Sequence, residues 1–320
     1  MIRVGLIGRG LGGRVFHEPL IRAAPAMELV GVAGAAEAGA PGTSEAVDLV
    51  VISTPNVTHY PLAKAALEAG KHVVVDKPFT VSLDEADALI ALAAERQRVL
   101  TVFHNRRWDG DFLTVKKVLP RLGDVSLFEA HWDRFRPSIK PGWREEPAEG
   151  AGLLNDLGPH LVDQALVLFG PPEAVSADVL VQRAGAQVDD YFALTLHYGP
   201  MRAILSASTL IAEPRPRFGV HGTGGSFVKH GLDPQEAALK AGADPREAGL
   251  GGRDGVLTLA DGARETVPTE RGNYLAFYEA VAAAVLDGAP VPVEPQDARE
   301  GLRIIEAARQ SARDGQRVTI

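Results

Sequence analysis

Ile2-Arg3-Val4-Gly5-Leu6-Ile7-Gly8-Arg9-Gly10-Leu11-Gly12-Gly13 sits at the head of the chain and decides how the rest is read. Ile2 to Ile7 has the character of a buried strand. It runs into glycines that match G-x-G-x-x-G through Gly8, Gly10 and Gly13, and a helical pattern follows over roughly residues 13–24. Alone the glycine pattern is weak; between a strand and a helix it has the context that gives it meaning. Gly8 permits a tight turn, Gly10 lets the backbone approach a pyrophosphate, and Gly13 lets helix and strand pack closely. The helix N-terminus adds N–H donors and partial positive charge. Gly8, Arg9, Gly10, Leu11 and Gly13 are therefore the expected phosphate end of a dinucleotide site.

Working outward, apolar runs at Leu29 to Ala33, Leu49 to Ser53, His72 to Val75 and Val99 to Phe103 alternate with helical stretches at Pro61 to Ala69 and Leu83 to Arg96. Ser82 with Glu85 three residues later is a capping-box pattern, and Gly70 closes the helix before it. Strands apolar on both faces and joined by helices imply a parallel α/β sheet of the Rossmann type. Only some fifteen residues, many of them Ala, Gly or Pro, separate the second strand from the third. The usual edge strand is therefore expected to be missing and the second strand to be the sheet edge. A parallel strand between residues 35 and 46 would refute this.

The remaining composition is that of a globular protein. The 320 residues include 46% hydrophobic and 23% charged side chains, and this length suggests two domains. A formal charge of −8 argues against broad binding to nucleic acid or anionic membranes. No apolar run reaches the ~18 residues of a membrane span. The absence of cysteine excludes disulfides, thiol catalysis and Cys-ligated zinc, and the histidines lack metal-ligand spacing, so no metal is expected. An apolar run starting at Ile2 leaves no room for a leader, and the expected location is the cytoplasm.

Ligands of open α/β sheets sit beyond the carboxyl ends of the strands. Ser53-Thr54-Pro55-Asn56 and Asp76-Lys77-Pro78 lie at two such ends. Pro78 holds Lys77 out of helical geometry, so Lys77 is a candidate to hydrogen-bond a reacting hydroxyl. The position that would carry the ribose-binding acid falls in Ala33-Gly34-Ala35. Without that acid a 2′-phosphate is not repelled, and the reading leans to NADP over NAD, with Arg9 or Arg14 as phosphate partners. The shortened crossover could instead bring Glu37 round. A second cluster, Asp156-Leu157-Gly158-Pro159-His160, suggests a helix beginning at Pro159 and running to about Phe169. His160 would then lie in its first turn, with Asp156 just upstream.

These stretches, with His59 and in this order, resemble the glucose–fructose oxidoreductase/inositol dehydrogenase (Gfo/Idh/MocA) family over nearly the whole chain. Arg14-Val15-Phe16-His17, Phe103 to Asp109, Asp133 to Pro137 and Gly231 to Glu236 resemble its subgroup containing NADP-dependent scyllo-inositol dehydrogenases. The resemblance implies a Rossmann domain over residues 1–121 and, over 122–320, an α+β domain with a large, open, mainly antiparallel sheet that builds a dimer or tetramer. Alternating runs at Val125 to Arg134, Glu173 to Gln182, Tyr191 to Tyr198 and Arg202 to Leu210 agree, as do helical patterns near 273–286 and 296–313.

By position, the resemblance makes Lys77, Asp156 and His160 catalytic. It places Ser53, Thr54, Pro55, Asn56, His59 and Asp76 near the cofactor, and Arg106, Trp108, Asp133, Arg134, Trp143 and Tyr274 around a polyol. It implies oxidation of a secondary alcohol on a cyclic polyol or sugar, with NADP, or NAD, as hydride acceptor. Two rivals remain: a non-catalytic sensor on the same fold, and an oxidoreductase that retains its cofactor between turnovers. The short 34–48 segment, with Gly34-Ala35-Ala36 at the strand tip, departs from the family pattern and bears on the adenosine end.

Overall fold

The computed structural model describes residues 1–37, 44–139, 145–147 and 150–320. Its first sheet has five parallel strands: β1 (Ile2–Ile7), β2 (Met27–Ala33), β3 (Leu49–Ile52), β4 (His72–Val75) and β5 (Leu100–Val102), in the order β2-β1-β3-β4-β5. Every residue of β3 is fully buried, as a strand covered on both faces must be. After α1 (Glu18–Ala23), helices α2 (His59–Glu68) and α3 (Leu83–Arg96) pack on each other, and α2 also packs on β3 and β4. Ser82 caps α3 by accepting from the Glu85 N–H at 3.3 Å, while Glu85 accepts from Val81 rather than from Ser82 itself.

Among the described residues β2 is the sheet edge. Ala35–Glu37 is a single 3₁₀ turn. Residues 38–43 lie outside the described residues, so the expectation of a missing strand is met for its flanks. Because β2 and β3 flank β1 on opposite sides, the strand order reverses there. The carboxyl ends of β1 and β3 border the crevice where such sheets bind ligands.

The chain divides into two compact units at places other than residue 121. The first comprises residues 1–109, 234–250 and 272–299; the second comprises 110–233, 251–271 and 300–320. Helix α4 (Gly110–Val118) gives Phe112, Val115 and Val118 to the second core. The segment from residue 272 returns to the first core through Tyr274, Leu275, Phe277, Tyr278 and Val281. An apolar stripe in sequence shows that a helix is buried, not which sheet it is buried against.

In the second unit β6 (Val125–Asp133) to β13 (Arg264–Val267), with β14 (Val318–Thr319), form one nine-stranded sheet. Its pairing is antiparallel except between β6 and β9 (Met201–Ser208). The turn at Gly222 to Gly225 closes a hairpin between β10 (Phe218–Gly222) and β11 (Gly225–Lys229). One helix, α5 (Leu153–Phe169), packs on β6, β8 (Tyr191–Tyr198) and β9.

Helix α5 corrects the expected start at Pro159. It begins six residues earlier, and Pro159 lies inside it. The first turn is capped from elsewhere in the chain. Asp189 accepts from the N–H groups of Leu153, through its carbonyl at 2.8 Å, and of Leu154, through its carboxylate at 2.6 Å. Gly152, at φ +93°, makes room for this: a Cβ there would stand 2.2 Å from the Asp189 carboxylate. A cap supplied from thirty-five residues away leaves no local sequence signal, so the proline was the only visible punctuation.

Candidate active site

In the first unit the site is built from strand ends. Ser53 N–H donates to the Ile7 carbonyl at 2.8 Å, bringing the β1 and β3 exits side by side. A Cβ on Gly8 would lie 2.1 Å from the Ser53 carbonyl oxygen, and one on Gly13 would lie 2.0 Å from the Gly8 oxygen. Both glycines are fixed by protein packing. A Cβ on Gly10 meets nothing within 4 Å. The three fingerprint glycines thus divide: Gly8 packs against the β3 exit, Gly13 packs the following helical turn against Gly8, and Gly10 keeps an open face for a ligand. The residues present fit a dinucleotide pyrophosphate beside Gly10, with Arg9 and Leu11 exposed on either side of it.

At the tip of β2, Glu37 does come round. Its carboxylate accepts from the Gly34 N–H at 3.3 Å and pairs with Arg9 at 2.9 Å, while Arg9 also donates to the Val32 carbonyl at 3.2 Å. An acid therefore stands at the strand tip even though the expected position lacks one. Arg14 is exposed.

At the β4 exit, Asp76 accepts the Lys77 N–H at 2.8 Å through Oδ1 and the Ser53 hydroxyl at 2.8 Å through Oδ2. Burial would raise the Asp76 carboxyl, but His17, Lys77 and His59 together hold it below the usual carboxylate range. His59 is fully buried, its ring nitrogens 2.8 Å from the Pro78 carbonyl and 3.0 Å from the Thr54 carbonyl. It braces the two strand-end loops against each other, and burial pushes its pKa down. Pro55 is exposed, and Asn56 is buried at the start of a 3₁₀ turn.

In the second unit Asp156 and His160 are four residues apart in α5, one turn, and therefore share a face. Asp156, not His160, occupies the first turn. His160 is 5% exposed and lies 5.8 Å from the Trp132 ring at an interplanar angle of 30°. Arg134 reaches Asp156 at 3.4 Å and rests over the same tryptophan. Arg134, Asp156, His160 and Trp132 thus form one constellation at the end of β6 and the start of α5. A cleft lined by Arg134, Arg136, Asp156, Arg183 and Thr209, among others, adjoins it.

The other pocket candidates have internal partners. Buried Arg106 donates to the Tyr274 hydroxyl at 2.5 Å and pairs with Glu236, and Tyr274 donates to Asp109 at 2.6 Å. Trp108 stacks edge-on against Phe277. Asp133 holds Arg215 through both carboxylate oxygens, at 2.9 Å and 2.7 Å. Gln235 binds the Trp108 carbonyl and the Tyr274 N–H, so part of the Gly231 to Glu236 motif serves this internal network. Trp143 lies outside the described residues. Among those residues no three His, Asp or Glu side chains gather as a metal ion would need, and no helix is long and apolar enough to cross a membrane.

Three residues had no place in the sequence reading: His17 and Tyr278, which join the Asp76 network, and Asp189, which caps α5. His17 stood in a quoted motif without a role; the other two gave no local signal.

Comparison with known proteins gives two family matches. The profile described as "Oxidoreductase family, NAD-binding Rossmann fold" covers residues 2–104, and "Oxidoreductase family, C-terminal alpha/beta domain" covers 116–320. The chain is 48% identical over 334 residues to the uncharacterized oxidoreductase YdgJ of Escherichia coli K12, covering 98% of this chain and 96% of the relative. It is 37% identical over 342 residues to scyllo-inositol 2-dehydrogenase (NADP(+)) IolW of Bacillus subtilis 168, covering 98% and 94%. An oxidoreductase from Bacillus cereus superposes with a TM-score of 0.89 at 33% identity, over 100% of this chain and 99% of that one.

Proposed function

We propose that this chain, a member of the Gfo/Idh/MocA oxidoreductase family, moves a hydride between a nicotinamide cofactor and a secondary alcohol of a cyclic polyol or sugar. The observation that carries the reading is the anchoring of Lys77 at a strand exit, in a unit whose glycine loop keeps an open face at Gly10 alone. The full-length likeness to a relative named for scyllo-inositol supports the substrate class.

When bound, the nicotinamide supplies the hydride acceptor or donor. Lys77 hydrogen-bonds the reacting oxygen and stabilises its developing negative charge. His160 takes the hydroxyl proton, and Asp156, one turn before it, orients the ring. Such acid–base help is typically worth ~10²–10⁴-fold. NADP is the preferred cofactor in this reading and NAD the alternative. Arg9 lies beside the β2 tip and can exchange Glu37 for a 2′-phosphate. The chain is taken to work as a homodimer or homotetramer through the open sheet, which light scattering checks.

The test is a screen of inositols and aldoses with NADP and NAD, read by nicotinamide absorbance. Turnover of at least one cyclic polyol or sugar is expected, with higher kcat/KM for NADP. Absence of turnover across the panel with both cofactors ends the proposal, and a clear NAD preference ends its cofactor clause.

A further inference from the structure

We infer that His17 and Tyr278 are positioning residues for Lys77, acting through the carboxylate of Asp76. The inference rests on the role proposed above for Lys77, and its observations all lie within the first unit.

The four side chains form one string. Asp76 Oδ2 accepts the Ser53 hydroxyl at 2.8 Å and faces His17 Nε2 at 3.3 Å. The other ring nitrogen of His17 lies 2.5 Å from the Tyr278 hydroxyl. A carboxylate only accepts, so Nε2 is the ring atom that turns a proton toward Asp76, and Nδ1 meets the Tyr278 hydroxyl. His17 and Tyr278 are fully buried, and the Phe103 ring packs 4.3 Å from the imidazole. The remaining oxygen, Asp76 Oδ1, holds the Lys77 N–H at 2.8 Å. Both carboxylate oxygens are thereby fixed, and with them the backbone from which the lysine side chain projects.

Two features of the chain fit this string. Gly12 is not one of the fingerprint glycines, yet a Cβ there would stand 2.5 Å from Ser53 Oγ and 2.9 Å from Asp76 Oδ2. Its bare backbone leaves room for the carboxylate. The helix after the glycine loop opens as a wide π turn, Gly12–His17, in which the Glu18 N–H reaches back five residues to the Gly13 carbonyl. Such turns are uncommon and cluster at functional sites; this one ends on His17. The string also keeps its polarity. Burial, opposed by His17 and Lys77, leaves the carboxyl below its ordinary range, and burial and Asp76 push the Tyr278 phenol up. An anionic acceptor at one end and a protonated phenol at the other make it a fixed brace rather than a proton supply.

A displacement of about 1 Å at a reacting group can cost ~10²-fold, so loosening Asp76 should show in turnover. The experiment compares full-length His17→Phe, His17→Gln and Tyr278→Phe with the unmodified protein. It measures cofactor Kd by nicotinamide fluorescence, kcat on the polyol found in the screen, and amide hydrogen exchange at Lys77 and at Leu6 in β1. His17→Phe is expected to lower kcat by about 10–100-fold with cofactor Kd within about 2-fold. Exchange at Lys77 should accelerate by at least about 10-fold while Leu6 is unchanged. His17→Gln, which can donate to Asp76 and accept from Tyr278, should recover most of both losses, and Tyr278→Phe should fall between.

Unchanged kcat and Lys77 exchange in His17→Phe and Tyr278→Phe would overturn the inference. So would acceleration shared equally by Leu6, which marks a purely structural role. If the unmodified protein turns over nothing, the proposed function fails by itself, while the exchange at Lys77 against Leu6 still decides whether the string holds that residue.

Discussion

Replacing Gly10 and Gly13 separately by alanine should split stability from cofactor binding. At Gly13 the added Cβ would come 2.0 Å from the Gly8 carbonyl oxygen, far inside contact distance and against backbone that cannot rotate away. Overpacking of this kind costs typically 1–3 kcal/mol or more. At roughly 2–4 °C per kcal/mol for a domain of 150–250 residues, Tm should fall by about 2–12 °C. At Gly10 the same methyl meets nothing within 4 Å, so Tm should move by no more than about 1 °C, as for a neutral surface change. It projects, however, where a pyrophosphate must approach the backbone, and cofactor Kd should rise by about 10-fold or more. Thermal unfolding without ligand, followed by fluorescence titration with NADP and NAD, reads both. A Gly10→Ala protein that is destabilised as much as Gly13→Ala yet binds cofactor normally would refute the division of labour among the glycines.

Stability should also decline in mild acid. Burial, then the charge of Arg215, push His131 down to about 4, against roughly 6.5 in an unfolded chain. The unfolded state takes a proton that the folded state refuses, so this contribution is complete above about pH 6.5 and is lost as pH falls toward 4. The loss is roughly 1–3 kcal/mol, and His131→Gln should flatten the urea-derived stability profile across that window. Asp189→Ala removes the acceptor of the Leu154 N–H and should cost about 1–2 kcal/mol in denaturant unfolding, whereas Asp189→Asn should retain most of it. Glu37→Ala leaves Arg9 without its carboxylate partner and should raise the NADP:NAD ratio of kcat/KM by about 3–10-fold; an unchanged ratio would mean that Arg9 does not meet the ribose.

Much of the first sheet was legible because each strand is short, apolar and bounded by its own signals. β1 and β4 fall on the expected residues, and α3 begins and ends where Ser82 and Arg96 indicate. What sequence could not show was set over long range. The cap of α5 comes from Asp189, so in sequence alone Pro159 looks like a helix start, and His160 lies nearly two turns deeper in the helix than that start implies. The helix carrying Tyr278 belongs to the first core, not the second, because its apolar stripe does not identify its partner. Within the site, Gly8, Gly10 and Gly13 divide as their chemistry required. Arg106 and Tyr274, by contrast, bind each other, and only a structure reveals that the arginine's counter-ions, Glu236 and Asp109, lie within reach.

The proposed chemistry depends most on Lys77 and His160, and one measurement addresses them together: steady-state turnover of Lys77→Met and His160→Ala, each checked for cofactor binding by fluorescence. Both variants should bind cofactor as the unmodified protein does while kcat falls by about 10²–10⁴-fold. Near-normal kcat in both would contradict it.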